Sequence, residues 1–270
     1  MATIPSLYEL AGPAPAPPSG QRLKGRICLV VGGTSGIGRA AALRMAGEGA
    51  AAVIVTGRRE PLGRDLAAEI GRTGVEGLFI AADATVEAEL AAAIAQVIQR
   101  FGRLDAVFNN AGYQERRAPL AEQTDDVYTR VFDTNVRGVF NAMRHEIPAL
   151  LASGGGSIIN NTSVSGIRNP NPGLSLYGAS KAAANALTRA AAMEYAPQGI
   201  RINGVAPGRV VTDMMLGSGI ADMNAVKAGL PLRRMGHPEE VAAAVVWLMS
   251  AEAGYVVGHI LAADGGFLAS

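Results

Sequence analysis

Ile27-Cys28-Leu29-Val30-Val31-Gly32-Gly33-Thr34-Ser35-Gly36-Ile37-Gly38 is the stretch on which the reading of this 270-residue chain turns. Its first five residues form a short apolar run of the kind that suits a strand covered on both faces. The run breaks on glycines, and an Ala-rich helical stretch begins near Ile37. Glycine lets the backbone turn tightly and lets a ligand approach it closely. A helix that starts straight after such a turn offers free N–H groups and a partial positive charge to an anion. Strand, glycine turn and helix in that order predict a pyrophosphate-binding corner of the dinucleotide type, with Gly32, Thr34, Ser35, Gly36, Ile37 and Gly38 as the positions that hold it.

Moving outward, the same alternation repeats to the end of the chain. Further apolar runs at 52–56, 77–81, 106–109, 157–162, 201–206 and 259–262 read as strands, and helical stretches begin near Ile37, Pro61, Val86, Thr124, Tyr177 and Pro238. This is the βαβ pattern, and it predicts one α/β domain over residues 21–270: a doubly wound, seven-stranded parallel sheet flanked by helices on both faces. The crossovers should be right-handed. Residues 1–20 are rich in Ala and Pro and read as a flexible arm, with Leu7, Tyr8 and Leu10 as anchors if it covers a neighbouring subunit instead. The Met- and Gly-rich stretch 213–234 reads as a mobile substrate lid.

Composition narrows the possible roles. About half the residues are hydrophobic (49%), enough for one full core, and the formal net charge is +1. A balance that close gives no field to draw in nucleic acid or an anionic membrane surface. Cys28 is the sole cysteine, so neither an internal disulfide nor a cysteine metal cluster is available. His145, His237 and His259 lie far apart, show no metal-ligand spacing, and read as structural, so no metal is expected. No stretch approaches the ~20 apolar residues that span a bilayer, and no secretory leader is evident, so the expectation is a cytoplasmic protein.

The second strand should end at Thr56-Gly57-Arg58-Arg59. An NAD site carries an acid there for the ribose 2′-hydroxyl, but Gly57 takes that place and Arg58 follows it. A planar, permanently charged guanidinium suits a 2′-phosphate, so the expected cofactor is NADPH/NADP+, with Arg39 as a further source of positive charge. Asp83, at the end of the third strand, could cap the next helix.

Tyr177 and Lys181 stand four residues apart at the start of an expected helix, so both side chains leave one face. A phenol with a pKa near ~10 is a poor proton donor or acceptor at neutrality unless its surroundings adjust it, and a nearby ammonium favours the phenolate. Upstream lie Asp133-Thr134-Asn135-Val136 and Asn160-Asn161-Thr162-Ser163, and downstream Pro207-Gly208-Arg209-Val210-Val211-Thr212.

Taken together, the G-x-x-x-G-x-G turn at Gly32, Gly36 and Gly38, Asn109-Asn110-Ala111-Gly112, Tyr177 with Lys181, the Pro207–Thr212 segment and the closing Asp264-Gly265-Gly266 resemble the short-chain dehydrogenase/reductase family, NADP-preferring and similar to its 3-oxoacyl-reductase-like ketoreductases, from Leu23 to the end of the chain. The resemblance implies Asn135, Ser163, Tyr177 and Lys181 as the catalytic tetrad. Tyr177 would transfer the proton, Ser163 would bind the substrate oxygen (Thr162 and Ser165 being neighbouring alternatives), Lys181 would hold the nicotinamide ribose, and Asn135 would hold a water leading from Lys181 to solvent. It further implies that Asp83 borders the adenine, that Asn110 lines the cofactor cleft, and that Pro207, Gly208, Val210 and Thr212 hold the nicotinamide carboxamide and phosphate. Val31 departs from the family, which usually has Thr there to brace the turn. The partner is then a small carbonyl or alcohol substrate, and the assembly a homotetramer built partly from the helices of Asn135 and Tyr177. Met214, Met215 and Leu216 suggest an apolar or extended ketone, with Tyr113, Gln114 and Arg168 as further pocket candidates. Competing readings are an NAD(P)-dependent alcohol or sugar dehydrogenase and a non-catalytic nucleotide-binding regulator.

Overall fold

A computed structural model describes Leu10 and residues 20–170, 172–220 and 222–270. Strand β1 (Ile27–Val31) is followed by α1 (Gly36–Gly47), β2 (Ala52–Gly57), α2 (Glu60–Gly71), β3 (Glu76–Ala81), α3 (Glu87–Phe101) and β4 (Ala106–Asn109). The second half runs through α4 (Asp125–Phe132), a π-helical turn (Asp133–Arg137), α5 (Gly138–Ala152), β5 (Gly156–Asn161), α6 (Ser175–Tyr195) and β6 (Ile200–Pro207). Two short helices, α7 (Asp213–Leu216) and α8 (Met223–Ala228), precede α9 (Pro238–Met249) and β7 (Ile260–Ala263).

The strands form one seven-stranded sheet in the order β3-β2-β1-β4-β5-β6-β7, and each neighbouring pair is parallel. Alternation along β1 shows how it is held. Cys28 and Val30 enter the core under α1 and α9, while Ile27, Leu29 and Val31 enter the opposite core under α3 and α5. Period-two side chains on a strand buried on both sides require this division. The edge strands depart from the all-apolar expectation: β3 exposes Glu76 and Ala81, because an edge strand has water on its flank. At the other edge, β7 is only partly covered. Buried among apolar neighbours, the Cys28 thiol is pushed up to about 12, which keeps it protonated and unreactive.

From β1 the chain winds toward β3, and from β4 it winds the other way. The reversal leaves a crevice at the carboxyl ends of β1 and β4, where open α/β sheets bind ligands. At the far end of the sheet Arg201 fastens α9. Its guanidinium donates to the carbonyls of Leu248 (2.7 Å) and Ala253 (3.1 Å) through Nη1, and to Met249 (3.1 Å) and Ser250 (3.0 Å) through Nη2. These carbonyls close a helix terminus that would otherwise lack partners. Arg201→Ala is expected to cost about 3 kcal/mol, since acceptors that gave up water are left unmade. An unchanged urea midpoint would show the fork to be dispensable.

The N-terminal arm lies outside the described residues except for Leu10 and Gly20. Leu10 is fully buried against Val211, Met223, Leu230 and Met235 of the same chain, and its carbonyl accepts the Met235 N–H at 2.8 Å. At that residue the chain is seated under the 213–234 segment, where a free tail was expected. Among the described residues, no helix is long and apolar enough to cross a membrane.

Candidate active site

The glycine turn closes on itself before it meets any ligand. The N–H groups of Gly32 and Gly33 both donate to the Thr56 carbonyl, at 3.1 and 3.0 Å, and Gly32 has φ +80°. A Cβ there would lie 2.7 Å from the Ala111 backbone, so the position admits glycine for two reasons. Gly38 lies behind the turn: a Cβ would meet the Gly32 carbonyl and Asn110 Nδ2 at 2.5 Å. It packs α1 close to the sheet and does not line the cleft. Helix α1 starts with no side-chain cap and no acid in its first turn, so its partial positive charge faces the cavity.

That cavity, of about 650 Å³, runs from Arg58 and Asp83 past the glycine turn to Tyr177 and the 213–234 segment. All the expected site residues line it except Gly38 and Asn135. The uncapped helix start, the glycine-only turn and the length of the cleft fit a dinucleotide, whose pyrophosphate would rest at the turn.

At the nucleotide end the two arginines divide. Arg58 is exposed and pairs loosely with Asp83 (3.4 Å). Arg59 reaches back across the turn to Thr34 Oγ (2.9 Å through Nη2) and to Ser35 Oγ. Sequence reading treated Arg59 only as the neighbour of Arg58. Arg39 turns away to Glu69 (2.5 Å) and does not line the cavity. Asp83 faces the cleft and also closes a turn, accepting from the Thr85 N–H (2.9 Å) and hydroxyl (2.8 Å). Desolvation works against its charge, yet the Thr85 bonds and Arg58 together hold the carboxyl below its ordinary value.

A chain of hydrogen bonds joins this end to the other. Asn110 Nδ2 donates to the Gly32 carbonyl (2.6 Å), Asn161 Nδ2 to Asn110 Oδ1 (2.8 Å), and Lys181 Nζ to the Asn161 carbonyl (2.7 Å). Lys181 is buried, and desolvation lowers its pKa to about 8. Its Nζ is 5.8 Å from the centre of the Tyr177 ring. Helix α6 begins at Ser175, two residues before the expected start. Tyr177 therefore sits in the first turn, where its N–H needs an outside acceptor. Glu115, nearly fully buried, supplies it: Oε1 accepts that N–H at 3.0 Å. No local pattern flagged Glu115, since it lies in an irregular loop and reaches α6 only through the fold.

The Tyr177 phenol is held above its usual pKa, chiefly by burial and then by the Glu115 charge, with the Ser163 hydroxyl and the Arg209 guanidinium pulling the other way. Lys181, expected to be the cation that acts on this phenol, is not among those causes. Arg209 is, and sequence reading passed over it although it stands inside a matched motif. Ser163 Oγ accepts the Ser165 N–H at 3.1 Å, the local turn bond open to any serine at such a position.

Asn135 is fully buried in the π-helical turn. Its amide grips the Tyr113 backbone, accepting from N–H at 2.8 Å and donating to C=O at 2.7 Å, and also donates to Ser180 Oγ at 2.9 Å. It thus stands behind the cavity wall. The widened turn explains how an Asn sits within a helix. Thr212 caps α7, accepting the Met215 N–H at 3.2 Å, and Val210 is pinned by a parallel bridge to Gly236. Tyr113 and Gln114 line the cavity as expected. Arg168 does not; it donates to the Ser270 carbonyl. His145 faces Glu87 (3.3 Å) and His259 N–H donates to Asn203 Oδ1 (2.9 Å). Among the described residues, no group of three or more His, Cys, Asp or Glu side chains is placed to hold a metal ion.

Fold and site together define a nicotinamide-dependent oxidoreductase that acts on the CH–OH/C=O pair, and the chain belongs to the short-chain dehydrogenase/reductase family. The family model described as Enoyl-(Acyl carrier protein) reductase matches residues 31–268. Among similar proteins, the A-factor type gamma-butyrolactone 1′-reductase (1S-forming) of Streptomyces virginiae is 41% identical over 248 residues, 91% of this chain and 96% of that one. The crystal structure of levodione reductase superposes with TM-score 0.88 at 34% identity, covering 92% of this chain and all of its own (100%). A 3-ketoacyl-(acyl-carrier-protein) reductase from Brucella melitensis, solved in complex with NADH, gives TM-score 0.84 at 31% identity over 90% and 98% of the two chains.

Proposed function

We propose that the protein reduces a ketone to a secondary alcohol with NADPH, reversibly, using Tyr177 as general acid in reduction and general base in oxidation. The observation that carries this reading is that Ser163, Tyr177 and Lys181 share one wall of the cavity that contains the glycine turn. When bound, the reduced nicotinamide supplies the hydride taken up by the carbonyl carbon. Tyr177 gives its phenolic proton to the carbonyl oxygen as the double bond becomes a C–O single bond, and Ser163 holds that oxygen. A phenol kept protonated by burial and by Glu115 is suited to donate. Lys181 holds the ribose and, with Asn135 behind the wall, returns the spent proton.

NADPH is preferred because the acid expected of an NAD site is absent and both Arg58 and Arg59 line the nucleotide end. Hydrogen bonds from charged donors to a phosphate are each worth enough that replacing both arginines by alanine should lower kcat/KM with NADPH about 10–100-fold while changing that with NADH little. A wild-type protein that turned over NADH more efficiently than NADPH would refute the preference.

Two of the similar proteins are named for a butyrolactone and for levodione, so cyclic ketones and lactones come first in a substrate panel read by loss of reduced-nicotinamide absorbance. The same reading makes the protein a cytoplasmic homotetramer. It is supported by the buried free thiol of Cys28 and by the exposed apolar side chains of Tyr128, Phe140 and Met193 on α4, α5 and α6.

A further inference from the structure

The segment 213–234 leaves and rejoins the rest of the chain at one point. Val210 bridges Gly236 in parallel, the Val211 N–H donates to the Gly236 carbonyl at 3.0 Å, and the Gly236 N–H donates to the Arg209 carbonyl at 2.8 Å. Between these joined ends stand α7, of four residues, and α8, of six. Helices so short do not hold themselves, so what they pack on sets their position. That support is the small apolar cluster around Leu10, in which Met223 and Leu230 of the segment are buried and which Met215 and Phe267 border. Among the described residues, only Leu10 and Phe267 reach the cluster from outside 211–235, and of the two Leu10 is the one fully buried. Its carbonyl also accepts the Met235 N–H at 2.8 Å, beside the bridge. Leu10 lies outside residues 31–268, which the family model matches, so the family resemblance does not account for this anchor. Of the described side chains in the cluster, Met215 alone also lines the cavity, next to Met214. Thr212, another lining residue, accepts the Met215 N–H at 3.2 Å.

Resting on the carbonyl-reductase reading above, we infer that Leu10 is a positioning residue that sets the size of ketone accepted: by filling the core under the 213–234 segment it holds Met215 forward as a wall of the substrate pocket. Leu10 does not itself line the cavity, so it acts through Met215 and not on the reacting atoms. A leucine removed from a packed cluster leaves a void into which its neighbours partly collapse. Methionine, unbranched and with three rotatable bonds, follows such a void readily. Met215 is half-buried between the cluster and the cleft. Without the leucine side chain it falls back, and the pocket widens by the room it gives up. The Leu10 carbonyl keeps its bond to Met235 in any side-chain variant, so a truncation isolates the packing.

The test offers 4-methylcyclohexanone and 4-phenylcyclohexanone, each with NADPH, to the wild type, Leu10→Ala and Leu10→Met. Leu10→Ala is expected to raise kcat/KM for the phenyl ketone relative to the methyl ketone about 10-fold, through KM with kcat little changed. Leu10→Met, which nearly conserves volume, should return the wild-type ratio. Unaltered NADPH binding shows that the alanine variant is folded; should it fail to bind, Leu10→Val, the smaller truncation, takes its place. A ratio unchanged by the truncation, or shifted as far by Leu10→Met, overturns the inference while leaving the reductase reading intact. If neither ketone is reduced by any of the proteins, limited trypsin digestion decides, since Lys227, Arg233 and Arg234 all lie in the segment. Cleavage there at least about 10-fold faster in the truncation, and at the wild-type rate in Leu10→Met, upholds the positioning of the segment whatever the reaction. Cleavage equally fast in all of them overturns it.

Discussion

Tyr177→Phe is expected to lower kcat for ketone reduction by about 10²–10⁴-fold, the usual range for removing a positioned general acid, with little change in NADPH affinity. The substitution keeps the ring and removes one hydroxyl. The backbone N–H of residue 177 stays on Glu115 Oε1, so the first turn of α6 keeps its acceptor. The direction of the pH dependence follows from the raised pKa of the phenol. Reduction needs Tyr177 protonated and should persist to high pH, falling only as the phenol ionises. Oxidation of the alcohol needs the phenolate and should rise with pH over the same range. Steady-state rates in both directions across pH, for wild type and variant, read this out. Unchanged turnover in Tyr177→Phe would end the proposed mechanism.

The second large effect is on stability, and its origin is remote from the chemistry. Glu146 on α5 is fully buried; it accepts from Asn109 Nδ2 at 3.0 Å through Oε2, while Oε1 has no hydrogen-bond partner among the described residues. Desolvation, only partly offset by Asn109, pushes its pKa from 4.5 up to about 8. Between those two values the folded state holds a proton that the unfolded chain has released. Its contribution to stability is therefore complete below about pH 4.5, declines as the pH rises, and is gone above about 8. At 1.36 kcal/mol for each pH unit, the loss across that window is on the order of 5 kcal/mol. Glu146→Gln keeps the shape and an oxygen for Asn109 but has no proton to lose. It should flatten the decline and leave the variant more stable than wild type at pH 8. Urea unfolding of both proteins at pH 5, 6, 7 and 8 measures the difference; parallel curves would mean that Glu146 does not titrate in this window.

The outcome at individual residues shows which signals a sequence carries. Helix starts were legible to within one residue where Pro238 or the glycine turn marked them, and α6 begins two residues earlier than expected because it has no side-chain cap of its own. Its acceptor is Glu115, which is sixty-two residues away along the chain. Asn is poorly suited to a helix interior, and the structure accommodates Asn135 with a π-helical turn and a grip on the Tyr113 backbone. Of the basic residues near the glycine turn, Arg39 pairs with Glu69 and Arg59 spans the turn. Proximity in sequence pointed the wrong way, because Arg39 follows the turn directly and yet faces away, whereas Arg59, just past β2, is brought back to the turn by the β1–β2 pairing.

What the sequence determined by itself was whatever depends on local chemistry: apolar strands of buried period, glycines where a Cβ would strike the backbone, and a helix start left open to an anion. These are decided within a few residues, so the doubly wound sheet and the dinucleotide corner were readable before any coordinates. Only the tertiary structure decided which charges face Tyr177. Glu115 and Arg209 come from a loop and a strand end far apart in the chain, and neither carries a local mark of its destination. Electrostatic effects depend on distance and burial in space, and these exist only once the sheet has assembled and brought its loops together.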